Sequence, residues 1–161
     1  MISAGQLKQF DFFSEFTDAE LEKLTTIAEE QAYPAGAQMY KKGDPAAHLF
    51  LVTKGKIILV LDSYVGPHKP PLQVTLDIIT KGESMGWSAV VNPFIYTLGA
   101  LCIDESDFIA IDAPKLRELM EEDCTMGFKV MKSIGKVLAS RLNHTRIILV
   151  GERGLSHLSE Y

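Results

Sequence analysis

The chain has 161 residues, 47% of them apolar, and a formal net charge of −5. That is enough for one domain, residues 1–161, with a core that needs no staples. The acidic balance excludes duplex DNA as a partner, because displacing phosphate counterions requires a basic face.

Cys102 and Cys124 form no close pair and no metal-ligand spacing, which predicts reduced core thiols and a cytoplasmic protein. No run approaches the roughly 18 apolar residues of a membrane span. The first residues lack the basic start and apolar stretch of a signal peptide. Neither a membrane nor, for this chain by itself, a nucleic acid is an expected partner.

Residues 6–31 read as two helical pieces. Phe10, Phe12, Phe13 and Phe16 are too dense to be solvated, and Thr17-Asp18-Ala19-Glu20 is a capping box opening the second helix. Leu21, Leu24, Ile27 and Ala28 then recur at helical spacing.

From residue 33 to 112 turn signals come at short intervals: Pro34-Ala35-Gly36, Lys42-Gly43-Asp44-Pro45, Lys54-Gly55, Gly66-Pro67, Lys81-Gly82 and Asn92-Pro93. Leu72, Val74, Leu76 and Ile78 alternate with polar residues, predicting a half-buried strand. Ile57 to Leu61 is apolar throughout and suits a sheet interior. The fold class is therefore mainly β with flanking helices, an antiparallel jelly-roll β-barrel. Residues 63–71 are its longest hairpin connection.

Helical signals return over 114–150. Pro114 can serve as the first residue of a short helix, and a longer one runs from about 125 to 149. In the latter Phe128, Met131, Gly135, Leu138, Leu142, Thr145 and Leu149 step by three and four, a heptad seam. Val130, Ile134, Val137, Ile147 and Ile148 add more apolar surface than one buried face requires, so a two-fold homodimer through this helix is expected. Residues 151–161 are polar, contain two glycines, and should fray.

The candidate site is Gly82-Glu83-Ser84-Met85-Gly86-Trp87-Ser88-Ala89. Glycine exposes backbone N–H groups, a carboxylate follows at once, and Ser88-Ala89-Val90-Val91 can open a helical turn with free N–H groups. Such a loop can hold a sugar hydroxyl beside an anion. Catalysis is not expected: His48, His68, His144 and His157 are isolated, there is no His-x-His and no Gly-x-Ser-x-Gly elbow, and no metal set converges.

This order of helices, short strands with an internal Gly-Glu loop, and a long last helix resembles the cyclic nucleotide-binding domain, the sensor domain of the catabolite activator superfamily. The resemblance covers roughly residues 6–150. It rests on residues 16–21, on Tyr33-Pro34-Ala35-Gly36, on Tyr40-Lys41-Lys42-Gly43-Asp44, on residues 49–55 and on the Gly82–Ala89 loop. It implies a non-catalytic sensor or regulatory module with no resident cofactor, whose ligand is a cyclic nucleotide or another small anion.

In that resemblance Glu83 holds a ribose hydroxyl and residues 87–90 meet the cyclic phosphate. Arg141 and Thr145 of the long helix fall where the base is contacted. The arginine that neutralises the phosphate should fall within Phe94-Ile95-Tyr96-Thr97, aligned best with Ile95, and no lysine or arginine occurs between Lys81 and Lys115. Losing two charge-assisted bonds and leaving an anion partly desolvated costs roughly 3–5 kcal/mol, enough to weaken a micromolar ligand to about millimolar. Tight cAMP binding is therefore not expected. Tyr96 or Thr97 offers one hydrogen bond without charge, and Arg141 a charge from the helix. The alternatives are a cAMP- or cGMP-binding protein with an atypical phosphate site, or a ligand-free scaffold whose cavity is filled by Trp87, Phe94 and Ile95. The DNA-binding relatives carry a helix-turn-helix after the long helix, for which 161 residues leave no room.

Overall fold

The computed structural model describes residues 1–158, with side chains through Glu152. Helix α1 (Ala4–Lys8), a 3-10 turn (Asp11–Phe13) and α2 (Asp18–Thr25) precede eight strands: β1 (Ala28–Tyr33), β2 (Gln38–Tyr40), β3 (His48–Lys54), β4 (Lys56–Ser63), β5 (Leu72–Thr80), β6 (Ser84–Met85), β7 (Gly99–Cys102) and β8 (Ser106–Asp112). Helices α3 (Ala113–Glu122) and α4 (Cys124–Leu158) follow.

The capping box forms as the sequence requires: the Thr17 hydroxyl accepts from Glu20 N and the Glu20 carboxylate accepts from Thr17 N. The helix it opens ends at Thr25, however, rather than near residue 31. Ala28–Tyr33 is claimed by β8 along a continuous antiparallel ladder, Ala28↔Ile111 to Tyr33↔Ser106, a tertiary pairing that overrides helical spacing.

The strands form two antiparallel sheets, β1-β8-β3-β6 and β2-β7-β4-β5. They face each other across a core that takes Phe50 and Val52 from β3, Phe108 and Ala110 from β8, Ile57 and Leu59 from β4, and Ala100 and Cys102 from β7. Among the described residues no strand of one sheet pairs with a strand of the other: of the expected antiparallel jelly-roll barrel, the structure shows two stacked antiparallel sheets and no closed barrel. The first sheet is covered on both faces. Leu49 and Leu51 of β3 and Ile109 and Ile111 of β8 pack against the buried phenylalanines of the N-terminal segment and against Leu116, Met126, Val130 and Ile134 of α3 and α4.

The second sheet is covered on one face only. In β4, Ile57, Leu59 and Val60 are buried while Ile58 and Leu61 are half-buried. On β5 the expected half-buried alternation does not form: Leu72, Val74, Leu76 and Ile78 are exposed, as are Gln73 and Thr75, and only Ile79 enters the core. β5 is an edge strand with a bulge opposite Leu59 and Val60. One inserted residue in a period-two pattern is enough to change which set faces inward.

Asp112 caps α3 by accepting from Lys115 N, with Ala113 first and Pro114 inside the first turn. Helix α4 continues to Leu158, so residues 151–158, expected to fray, are helical; residues 159–161 lie outside the described part. Lys129 of α4 bonds both oxygens of the buried Glu20 (2.9 and 2.7 Å), pinning α4 to α2. Cys102 is a core thiol as expected, but Cys124 is exposed at the start of α4.

Candidate functional site

Gly82 closes the β5–β6 turn at φ 92°. Its N–H donates to Val52 O, while Val52 N donates to Glu83 O, so the loop starts as an extension of the β3 ladder. Gly86 adopts φ 85°, and a Cβ there would lie 2.8 Å from His48 O, so the chain can turn at this point only through glycine. The 3-10 turn Trp87–Val90 follows. It begins one residue before the helical turn expected from residue 88.

Arg141 reaches this loop from α4. Its Nη2 donates to Ser84 O at 2.6 Å and its Nε lies 3.4 Å from the Asp77 carboxylate on β5. The guanidinium side chain is only 18% exposed. Burial lowers its pKa, and the negative field of Asp77, with smaller contributions from Tyr40 and Glu83, acts in the opposite direction.

Two cavities meet at Arg141. The smaller, about 20 Å³, lies inside the sheets and is bordered by Gly86, Trp87, Ser88, Tyr96, Thr97 and Arg141. It is small because Tyr40 and Tyr96 stack at 3.6 Å with their rings 12° apart. The Tyr96 hydroxyl donates to His48 O (2.9 Å) and accepts from His48 N (3.2 Å). Burial pushes its pKa up to about 12. The larger cavity, about 280 Å³, lies on the other side of Arg141. The loop supplies Gly82, Glu83 and Ser84, β5 supplies Asp77, α4 supplies Ser133, Lys136, Ser140 and His144, and Asp11 and Phe12 close the end.

The sequence-derived site is thus divided. Gly82, Glu83 and Ser84 face the larger cavity, Gly86, Trp87, Ser88, Tyr96 and Thr97 the smaller, and Arg141 borders both. Glu83 is turned onto its own hairpin, accepting from Thr80 N (2.8 Å) and Thr80 Oγ1 (3.1 Å). Ala89 borders neither cavity; it is core, and its carbonyl accepts from Arg117 at 2.6 Å. Ile95 also borders neither: it bridges Pro45 at the surface and is 40% exposed. Thr145 is exposed, with its hydroxyl bonded back to Arg141 O.

Sequence reasoning missed Tyr40, Asp77, Lys136 and His144. The last two were legible in principle, since Ser133, Lys136, Ser140, Arg141 and His144 share one helical face.

Of the expected seam, Phe128, Met131, Leu142 and Leu149 are exposed and Gly135 faces open space. Leu138 instead packs on the chain's own core, beside Val137. Helix α4 is thus apolar on two sides, one of them covered.

Two stacked antiparallel sheets, a glycine-hinged loop between them and a long last helix that delivers one buried cation to that loop define a regulatory sensor module. The chain belongs to the cyclic nucleotide-binding domain family, whose profile matches residues 30–123, more than half its length. Among solved structures, a presumed cyclic nucleotide-binding protein from Geobacter metallireducens GS-15 is 27% identical, with a TM-score of 0.78 over 88% of this chain and 99% of that one. A cyclic nucleotide-binding domain from Methylobacillus flagellatus is 19% identical, with a TM-score of 0.75 over 92% and 81%. The catabolite activator protein of Thermus thermophilus is 20% identical, with a TM-score of 0.67 over 86% of this chain and 61% of that one. The last two likenesses concern the fold alone. No curated protein matches the chain.

Proposed function

We propose that this chain is a non-catalytic, cytoplasmic regulatory module that senses a small ligand at the Arg141 loop and does not bind cAMP tightly. One observation carries the reading. The inner cavity is reduced to about 20 Å³ by the Tyr40–Tyr96 stack, and the Arg141 guanidinium beside it already holds Asp77 and Ser84 O. The stretch Phe94-Ile95-Tyr96-Thr97 offers a phosphate no cation, and Ile95 points away from the cavity in any case. A cyclic phosphate would have to displace Asp77 from Arg141 and separate the tyrosines, giving up contacts that the protein already makes.

The two stacked sheets act as an opened jelly roll around this site. The module works as a homodimer, a reading supported by the exposed stripe Phe128, Met131, Leu142 and Leu149, with Gly135 allowing close backbone approach. Ligand occupancy acts by changing how α4 sits on the loop, since Arg141 belongs to both.

Calorimetric titration with cAMP, cGMP and cyclic dinucleotides tests this, with Trp87 fluorescence as a second reporter. Dissociation constants near millimolar or weaker are expected for cAMP; micromolar binding would refute the reading. The filled inner cavity also favours a second reading, a ligand-free interaction domain. An unchanged Trp87 spectrum across all ligands, with the larger cavity equally inert, would select it.

A further inference from the structure

A second cleft, about 500 Å³, opens on the sheet β2-β7-β4-β5 and shares no residue with the Arg141 site. Its volume lies within the roughly 300–1,000 Å³ of small-molecule sites. Val60 and Gly99, paired across β4 and β7, are buried at its floor. A Cβ on Gly99 would come within 3.1 Å of Val60 Cγ2 and 3.7 Å of Gln38 Nε2, so glycine keeps the floor low.

Lys41 and Lys42 rise on the turn after β2, and Gln38, Asp62 and Gln73 line the sides, the last two paired across β4 and β5. Tyr64, exposed, completes the rim. None of these six side chains makes a hydrogen bond or ion pair with the protein among the described residues. Asp44, the nearest acid in sequence to the lysines, turns its carboxylate to Lys41 N.

Of the twelve lysines, Lys8, Lys23, Lys54, Lys115, Lys129 and Lys132 have carboxylate partners. Lys41 and Lys42, adjacent in sequence, are among those without one. Two neighbouring ammonium groups over a concavity suit a dianion that bridges them. Asp62 would repel a bare phosphate but accepts bonds from hydroxyls, as do the carbonyls of Gln38 and Gln73.

We infer that this cleft binds a small phosphorylated polyol, with the phosphate on Lys41 and Lys42 and the hydroxyls on Gln38, Asp62 and Gln73. The site is independent of the Arg141 loop and does not depend on how that loop functions.

Isotope-edited NMR and calorimetry with ribose 5-phosphate, ribose and inorganic phosphate as probes test it. Ribose 5-phosphate should bind saturably and shift the Gly99 amide and the Gln38 and Gln73 side-chain amides. Ribose and phosphate should each bind at least about tenfold more weakly, and each Lys→Ala change should weaken binding roughly tenfold. Arg141→Gln should leave this binding unaltered, which separates failure here from failure of the loop reading. Equal binding by the Lys41→Ala/Lys42→Ala variant, equal affinity for inorganic phosphate, or no saturable binding at millimolar probe would overturn the inference.

Discussion

Replacing Arg141 with methionine keeps the apolar stem and removes the guanidinium. Ser84 O then loses its 2.6 Å donor, a charge-assisted bond worth about 1.5–3 kcal/mol. Asp77, only 20% exposed, loses a cation at 3.4 Å. A pair at that exposure stands between the ~0–1 kcal/mol of surface pairs and the ~3–5 kcal/mol penalty for breaking buried ones. The sum is about 3 kcal/mol, or a fall of roughly 6–12 °C in Tm for a chain of this length. Urea titration followed by Trp87 fluorescence reads the total. Amide hydrogen exchange across residues 133–150 shows whether α4 loosens from the loop, as it should. Asp77→Asn and the double variant complete a cycle with an expected coupling of about 1 kcal/mol. A destabilisation under about 0.5 kcal/mol with unchanged exchange would mean that Arg141 is not what joins α4 to the loop.

Gly86→Ala forces a Cβ against His48 O at φ 85° and should cost roughly 2–4 kcal/mol by thermal unfolding, while Gly135→Ala, which meets nothing, should cost little in the monomer. Tyr96→Phe keeps the ring stack but unmakes both hydrogen bonds to His48, for an expected loss of about 1–2 kcal/mol in chemical denaturation. Burial pushes Glu20 up, but hydrogen bonds from Lys129 and from Thr17 outweigh it, so its folded pKa lies below its ordinary 4.5. Its contribution is therefore fully present above that value and lost as pH falls through the folded pKa, and Lys129→Met should flatten the acid limb of the stability curve while costing about 2 kcal/mol at neutral pH. Leu142→Asp, on the exposed side of α4, should shift sedimentation from dimer to monomer without lowering helix content; a wild-type monomer would remove the dimer altogether.

How far the sequence could be read depended on whether local or distant contacts decided each element. Thr17 and Glu20 cap a helix through bonds three residues apart, and the local pattern was sufficient. Ala28 to Tyr33 carries an ambiguous pattern, and its strand is fixed by β8, about eighty residues away, which no window could show. The apolar alternation of β5 was visible but not its interruption, because the bulge that shifts its phase leaves no composition signal. At the site, glycines with positive φ were legible as turns. The partner of Arg141 was not: Asp77 sits in the polar half of an alternating strand and looked solvent-facing until the strand's phase was known. The placement of Phe94-Ile95-Tyr96-Thr97 was hidden for a similar reason: Ile95 bridges Pro45 and is 40% exposed, while Tyr96 and Thr97 line the inner cavity.

The exposed apolar residues of β5 have a colloidal consequence. An edge strand whose backbone is only partly claimed from outside the ladder, at Ile78 N by Asp77 and at Thr80 N by Glu83, and which exposes Leu72, Val74, Leu76 and Ile78 is a template for accretion by like strands. What holds copies apart is mutual repulsion from an excess of acid, and this reaches only about 10 Å in 0.1 M salt and about 3 Å at 1 M. Light scattering should therefore rise with ionic strength at fixed protein concentration, and Leu76→Lys should abolish the rise.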